Sequence, residues 1–258
     1  MIETPGARAG HHGMRRPLRA PGCLSAIFVA LLGACSSTPS DPVADGGVAQ
    51  GRDGGGGGAG GAAPEAPPYA SRIVSFEPGE GAGFGQSKLP GVVLGPPRGN
   101  GVTSGSLDVL SLGKGGSIVL GFDPLVVVDG DGADFVVFEN AFWPGGDASA
   151  VFAEPGEVSV SDDGVEWHAF PCNAEGDGAG HFPGCAGVTP TEKYDADAVV
   201  PLEPALTGGD AFDLSELGVA RARFVMIRDR TNAGSTPSAG FDLDAVGVVA
   251  AERADAEP

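Results

Sequence analysis

Glycine and proline interrupt this chain so often that few segments are long enough for a helix. There are 45 glycines and 22 prolines in 258 residues, a proportion close to that of low-complexity chains. After Pro68, however, they act as separators. Short runs rich in Val, Ile, Leu and Phe lie between them, and such residues suit a pleated, buried surface. The runs are Arg72–Phe76, Leu107–Leu112, Ser117–Phe122, Leu125–Val128, Asp134–Glu139, Glu157–Ser161, Val165–Phe170, Ala198–Pro201, Ala222–Arg228 and Phe241–Ala250. The best helical candidate is a single turn, Leu214–Leu217, with Asp213 as its cap. Many short strands with Gly/Pro turns predict an all-β fold, an antiparallel β-sandwich of jelly-roll type. The expected domain covers 69–251, enough for one core, followed by a disordered tail over 252–258.

The most chemically suggestive stretch runs from Gly115 to Asn140. Two apolar runs flank Asp129-Gly130-Asp131-Gly132-Ala133-Asp134. Calcium takes six to eight oxygen ligands from carboxylates, carbonyls and water. Asp129, Asp131 and Asp134 could begin such a set, and Glu139 and Asn140 close the next strand. This is not an EF-hand, because Asn140 occupies the twelfth position, where a glutamate is required. Asp242 and Asp244 alternate with Phe241, Leu243 and Ala245, so a regular strand puts both carboxylates on one face. If the two strand ends meet, the seven residues form one oxygen cage for Ca²⁺. The plainer alternative is that Asp-Gly steps are turn residues.

The N-terminal region reads as an address. Met14-Arg15-Arg16-Pro17-Leu18-Arg19 is a basic segment, and Cys23 to Leu32 is an apolar core too short to span a bilayer. It ends in Leu32-Gly33-Ala34-Cys35, which resembles the lipobox of bacterial lipoproteins. That resemblance implies a signal over 1–35, with lipid attached at Cys35; the alternative is an ordinary secretory signal. The polar leader before Met14 fits a signal poorly, so translation is expected to start at Met14. Ser36 and Ser37 lack the aspartate that retains such proteins at the inner membrane, which implies the outer membrane or cell surface of a Gram-negative bacterium. Residues 36–68, with five consecutive glycines from Gly54, read as a flexible tether.

Two further features lie in the presumed domain. Val158-Ser159-Val160-Ser161-Asp162-Asp163-Gly164-Val165-Glu166-Trp167 reads as a hairpin turning at Asp-Gly. Trp167 is expected in the core, with an exposed sugar platform as the rival. Cys172 and Cys185 remain as a pair once Cys23 is removed and Cys35 acylated, and an oxidising compartment predicts a disulfide between them. A metal site using His181 lacks a further soft ligand.

The net charge of −19 repels nucleic acid and attracts cations. No G-x-S-x-G or H-E-x-x-H signature is present, and Gly79 to Gly85 is out of register for a phosphate loop. Carboxylates for glycoside hydrolysis are abundant, but nothing selects a pair.

Several segments, taken in order, carry a resemblance. Ser104-Gly105-Ser106-Leu107, Ser111 to Ile118, Asp134 to Phe142, Glu154-Pro155-Gly156, Ser161 to Trp167 and Gly240-Phe241-Asp242-Leu243-Asp244-Ala245-Val246 resemble a loosely described family of bacterial cell-surface proteins. Its members occur as lipoproteins or with C-terminal sorting signals, and the resemblance covers about Val74 to Val249. The S-x-D-G-x-x-W hairpin is also similar to that of galactose-binding-like, discoidin-type sandwiches. Such sandwiches bind glycans or lipids through rim loops and often hold a structural calcium. The expectation is a lipid-anchored, monomeric, single-domain module with a non-catalytic binding or envelope-associated role, with a surface glycan as the partner and Ca²⁺ as the stabilising ion. The rival expectations are a secreted glycoside hydrolase and a purely structural surface protein.

Overall fold

The computed structural model describes residues 66–178, 181–192 and 202–254. The segment expected to be a signal, Cys35, most of the expected tether and the run Ala198–Pro201 lie outside them. Twelve strands follow in chain order: β1 (Arg72–Glu77), β2 (Leu110–Ser111), β3 (Ser117–Gly121), β4 (Leu125–Val128), β5 (Phe135–Glu139), β6 (Gly156–Ser161), β7 (His168–Ala169), β8 (Asp210–Phe212), β9 (Arg221–Ala222), β10 (Phe224–Asp229), β11 (Asp242–Val248) and β12 (Ala251–Arg253). They form three sheets, ordered β1-β3-β10-β6-β7, β2-β11-β5-β8 and β12-β4-β9. Every strand pair is antiparallel. The expected all-β sandwich is therefore present, with a small third sheet that the sequence did not announce.

Alternation explains the layers. In the five-stranded sheet Ile118, Leu120, Val158, Val160, Val225 and Ile227 are all fully buried. They share one core with Leu110, Phe135, Val137, Leu243 and Val246 of the four-stranded sheet. On the other face of β5, Val136 and Phe138 pack against Ala245 and Leu202. Strand β5 is thus covered on both sides, which accounts for its unbroken apolar run. Phe135 stacks on Phe212 at 5.3 Å and meets Phe170 edge-on at 5.9 Å.

Glycine is obligatory where the sheets close on each other. A Cβ at Gly156 would overlap the Phe241 ring, and one at Gly79 would overlap the Lys114 carbonyl. The Gly79–Gly85 segment therefore packs closely against its neighbours, with Gly85 also against the Val109 carbonyl.

Several local expectations hold. Leu214–Leu217 is a 3₁₀ turn, and the Asp213 side chain accepts from the Ser215 N–H. The Cys172–Cys185 disulfide is formed. Others need correction. The hairpin does not turn at Asp-Gly alone: Val160 pairs with His168, so residues 162–167 form the loop. The Asp163 carboxylate organises that loop by accepting from the Val165 and Glu166 N–H groups at 2.8 and 2.9 Å. The change of register sends Phe170, not Trp167, into the core. The tail drawn from 252 is also wrong at its start, because β12 pairs with β4. Strand β8 and the short helix α1 (Pro204–Thr207) had no clear apolar period to reveal them.

Removing a fully buried ring from a closely packed aromatic group leaves a cavity. Phe135→Ala should therefore destabilise the domain by about 3–5 kcal/mol, read from the urea midpoint of unfolding.

Candidate functional site

The antiparallel register of β5 and β11 fixes where the acidic residues lie. Glu139 is opposite Leu243, and Phe135 is opposite Val248. Asp134, just before β5, therefore meets the far end of β11, where the Val249 and Ala250 N–H groups donate to its carbonyl. Five residues of strand, roughly 16 Å, separate Asp134 from Glu139. The single cage expected from Asp129, Asp131, Asp134, Glu139, Asn140, Asp242 and Asp244 is thus divided into two groups at opposite ends of the sheet.

At the first end Asp129, Asp134 and Asp213 have carboxylate oxygens within 4.8 Å of one another. Such a triad could hold a metal. Two of its members already have structural work. Asp134 accepts from the Gly130 N–H at 2.8 Å and from the Leu214 N–H at 2.7 Å, and Asp213 caps its turn. Asp131 is exposed and lies outside the triad. Burial raises the pKa of the Asp134 carboxyl, against the two N–H donors.

The opposite end is far more deeply acidic. Glu139, Glu154, Asp229, Asp242 and Asp244 are all buried. The ladder explains their convergence. Asp229 pairs with Gly156 across β10 and β6, which places Glu154 alongside. The Arg230 N–H donates to the Pro155 carbonyl, and the Phe241 N–H donates to Asp229 at 2.8 Å. Asp229 also accepts from Gly115 and Thr231. It thereby ties β10 to the start of β11 and to the loop before β3.

The remaining carboxylates are less well satisfied. Asp242 accepts from the Ser111 hydroxyl and from the Asn140 side chain. Asn140 in turn accepts from the Ser106 N–H through its Oδ1. One Glu139 oxygen accepts from the Asp242 N–H at 3.3 Å, while Oε2 is buried without a hydrogen-bond partner. Burial raises Glu139 well above the usual carboxylate range, with the charges of Asp242 and Glu154 adding to the shift. Glu154 is pushed up to about 8 by burial, then by Asp242 and Asp229. Asp242 is pushed up to about 6, mainly by burial.

A bulge separates Asp244 from Asp242. Leu243 faces Glu139 and Ala245 faces Phe138, so Asp244 is the extra residue and regular alternation fails there. Its carboxylate accepts the Arg98 N–H at 2.9 and 2.8 Å, and burial pushes it up to about 7. The Arg98 guanidinium and Lys88 both bond Asp108. Burial opposes ionisation of Asp108, but these two cations hold its carboxyl below the usual range.

A third feature lies on the solvent side of the five-stranded sheet. Trp167, Phe224, Val119, Met226, Glu77 and Arg228 line a groove of about 320 Å³. Trp167 is half-buried there, and the Arg72 guanidinium sits 5.4 Å above the Phe224 ring. Arg228 lines the groove, and Arg230 lies 3.9 Å from Glu157.

Sequence reasoning missed Glu154, Asp229 and Ser111 as members of the acidic end. The Glu154-Pro155-Gly156 and Arg228-Asp229-Arg230 segments were visible, but only the β6–β10 ladder brings them together. No protein-family model matches this chain, and no curated protein matches it.

The raised pKa values have a definite sign. Asp242, Asp244 and Glu154 are harder to ionise in the folded chain than in the unfolded one. Their contribution to stability is full below about pH 4 and is lost as pH rises through about 6, 7 and 8. In the presence of chelator the melting temperature should fall between pH 5 and pH 8.5, and Glu154→Gln should flatten the upper part of that fall. Calorimetric melts across this range check it.

Proposed function

We propose that this chain is a surface-anchored lipoprotein whose β-sandwich is a non-catalytic glycan-binding module. The observation that carries the reading is the position of Trp167. It lies outside the core, beside Phe224, on a groove whose rim carries Glu77, Ser75, Ser117 and Arg228. Sugars have apolar C–H faces and a rim of hydroxyls. An aromatic floor with convergent polar groups matches that chemistry, and the groove volume falls in the range of small-ligand sites.

The anchor rests on the Leu32-Gly33-Ala34-Cys35 segment, which lies outside the described residues. Lipid at Cys35 would tether the domain to the outer membrane through residues 36–68. No helix among the described residues is long and apolar enough to cross a membrane. The acidic charge speaks against nucleic acid as the partner.

The glycoside hydrolase reading is weaker. Its two carboxylates must flank a sugar in a cleft. Glu139, Glu154 and Asp242 are instead at most 6% exposed, and none of them lines the groove.

A glycan array probed with the labelled chain tests the proposal. Bound glycans should be lost with Trp167→Ala, while the melting temperature moves by no more than a few degrees. Equal binding by wild type and variant, or no retained glycan, would overturn it.

A further inference from the structure

We infer that the groove on the five-stranded sheet takes an acidic oligosaccharide, with one sugar stacked on Trp167 and Phe224 and an anionic sugar further along held by Arg228. This names the ligand class of the glycan-binding module proposed above and rests on that reading.

Strand register gives the groove a direction. Val225 and Ile227 face the core, so alternation puts Phe224, Met226 and Arg228 on the solvent side of β10. Cross-strand partners share a face. Met226 pairs with Val119, Arg228 pairs with Ser117, and Ser117 pairs with Glu77 on β1. At the other end, Phe224 pairs with Ser161 and Val160 pairs with His168, which brings Trp167 level with Phe224. The groove therefore runs from an aromatic end, over an apolar middle of Val119 and Met226, to a polar end of Arg228, Ser117 and Glu77. The four-residue step from Phe224 to Arg228 spans about 13 Å of strand. One sugar ring is too short to touch both ends, so the occupant has at least two rings.

Charge selects among such occupants. Arg72 contacts Asp123, Arg221 and Arg223 contact Asp162, and Arg230 contacts Glu157. Arg228 is exposed and makes no ion pair or side-chain hydrogen bond among the described residues. Its register partner on β6, Glu157, is the residue that Arg230 meets. An unpaired guanidinium on a groove wall forks onto a carboxylate or a sulfate through two N–H groups. The chain as a whole is strongly acidic and repels anions, which makes this position an exception. Glu77 lies two strands from Arg228, about 9–10 Å away. It disfavours a second anion beside the first and accepts hydroxyls instead. An acidic sugar supplies both partners, an anionic group for Arg228 and hydroxyls for Glu77 and Ser117. The apolar C–H faces of the chain lie on the aromatic and aliphatic floor. A neutral glycan would leave Arg228 unused.

The test uses the full chain purified in detergent. It is applied to an array of uronic-acid oligosaccharides, each printed beside its carboxyl-reduced neutral form, together with sulfated oligosaccharides. Retained glycans should be anionic, and reduction of the carboxyl should weaken binding about tenfold. Arg228→Met keeps the apolar stem and removes the guanidinium. It should cost a similar factor for the acidic form, leave the reduced form unaffected and melt as the wild type does. Trp167→Ala should weaken both forms. Retention of the sulfated set alone would support the proposal and identify the anion as sulfate. Binding that depends on Trp167 but is equal for acidic and reduced forms, or is unchanged by Arg228→Met, would overturn the acidic ligand and leave the glycan reading standing. Absence of any binding that depends on Trp167 would overturn both.

Discussion

The pairing of β5 with β11 through a single bulge is the constraint on which the rest depends. Before the bulge, Leu243 lies opposite Glu139; after it, Ala245 lies opposite Phe138. The ladder seals both faces of β5 and delivers Glu139 to the interior. It also turns Asp244 away from the pattern of its neighbours, so that it accepts the Arg98 N–H and anchors the loop leading to Asp108. A one-residue shift in this register would exchange the faces of β11 and break all of these contacts.

The acidic residues play unlike roles once this register is set. Asp229, Asp210, Asp134 and Asp213 accept backbone N–H groups, and each holds a loop or turn in place. Asp210 is the clearest case. Its carboxylate gathers the N–H groups of Gly187, Val188 and Thr189 at 2.7–3.0 Å, and burial still pushes it up to about 6. Glu139 accepts from the Asn140 and Asp242 backbone N–H groups, but its Oε2 is buried without a partner. The difference between a satisfied and an unsatisfied buried carboxylate separates scaffolding from candidate binding chemistry.

Much of the architecture could be read in the runs of Val, Ile, Leu and Phe. Strands β1, β3, β4, β5 and β6 fall within a residue of their expected limits, because each pairs a strong apolar signal with a nearby Gly or Pro; the run Ala222–Arg228, which has neither at its ends, divides between β9 and β10. The capped turn at Leu214 was legible because Asp213 is a local acceptor for Ser215. Trp167 was misplaced for the opposite reason. Its position depends on how many residues the hairpin loop takes up, and the Asp163 side chain lengthens that loop beyond the Asp-Gly step. Asp242 and Asp244 were read as one face because a bulge leaves no mark in local alternation.

By itself, the sequence determined the strand-forming segments, the cysteine pair and the acidic character. These follow from short-range chemistry: side-chain shape, turn preference and charge. Only the tertiary structure decided which acids meet. Asp129 and Asp134 lie close to Asp242 in expectation but at the other end of the sheet in fact, because antiparallel pairing sends the start of one strand to the end of its partner. The same long-range ladders bring Glu154 and Asp229, distant in the chain, beside Glu139 and Asp242. Register is a property of two strands together, and neither strand encodes it alone.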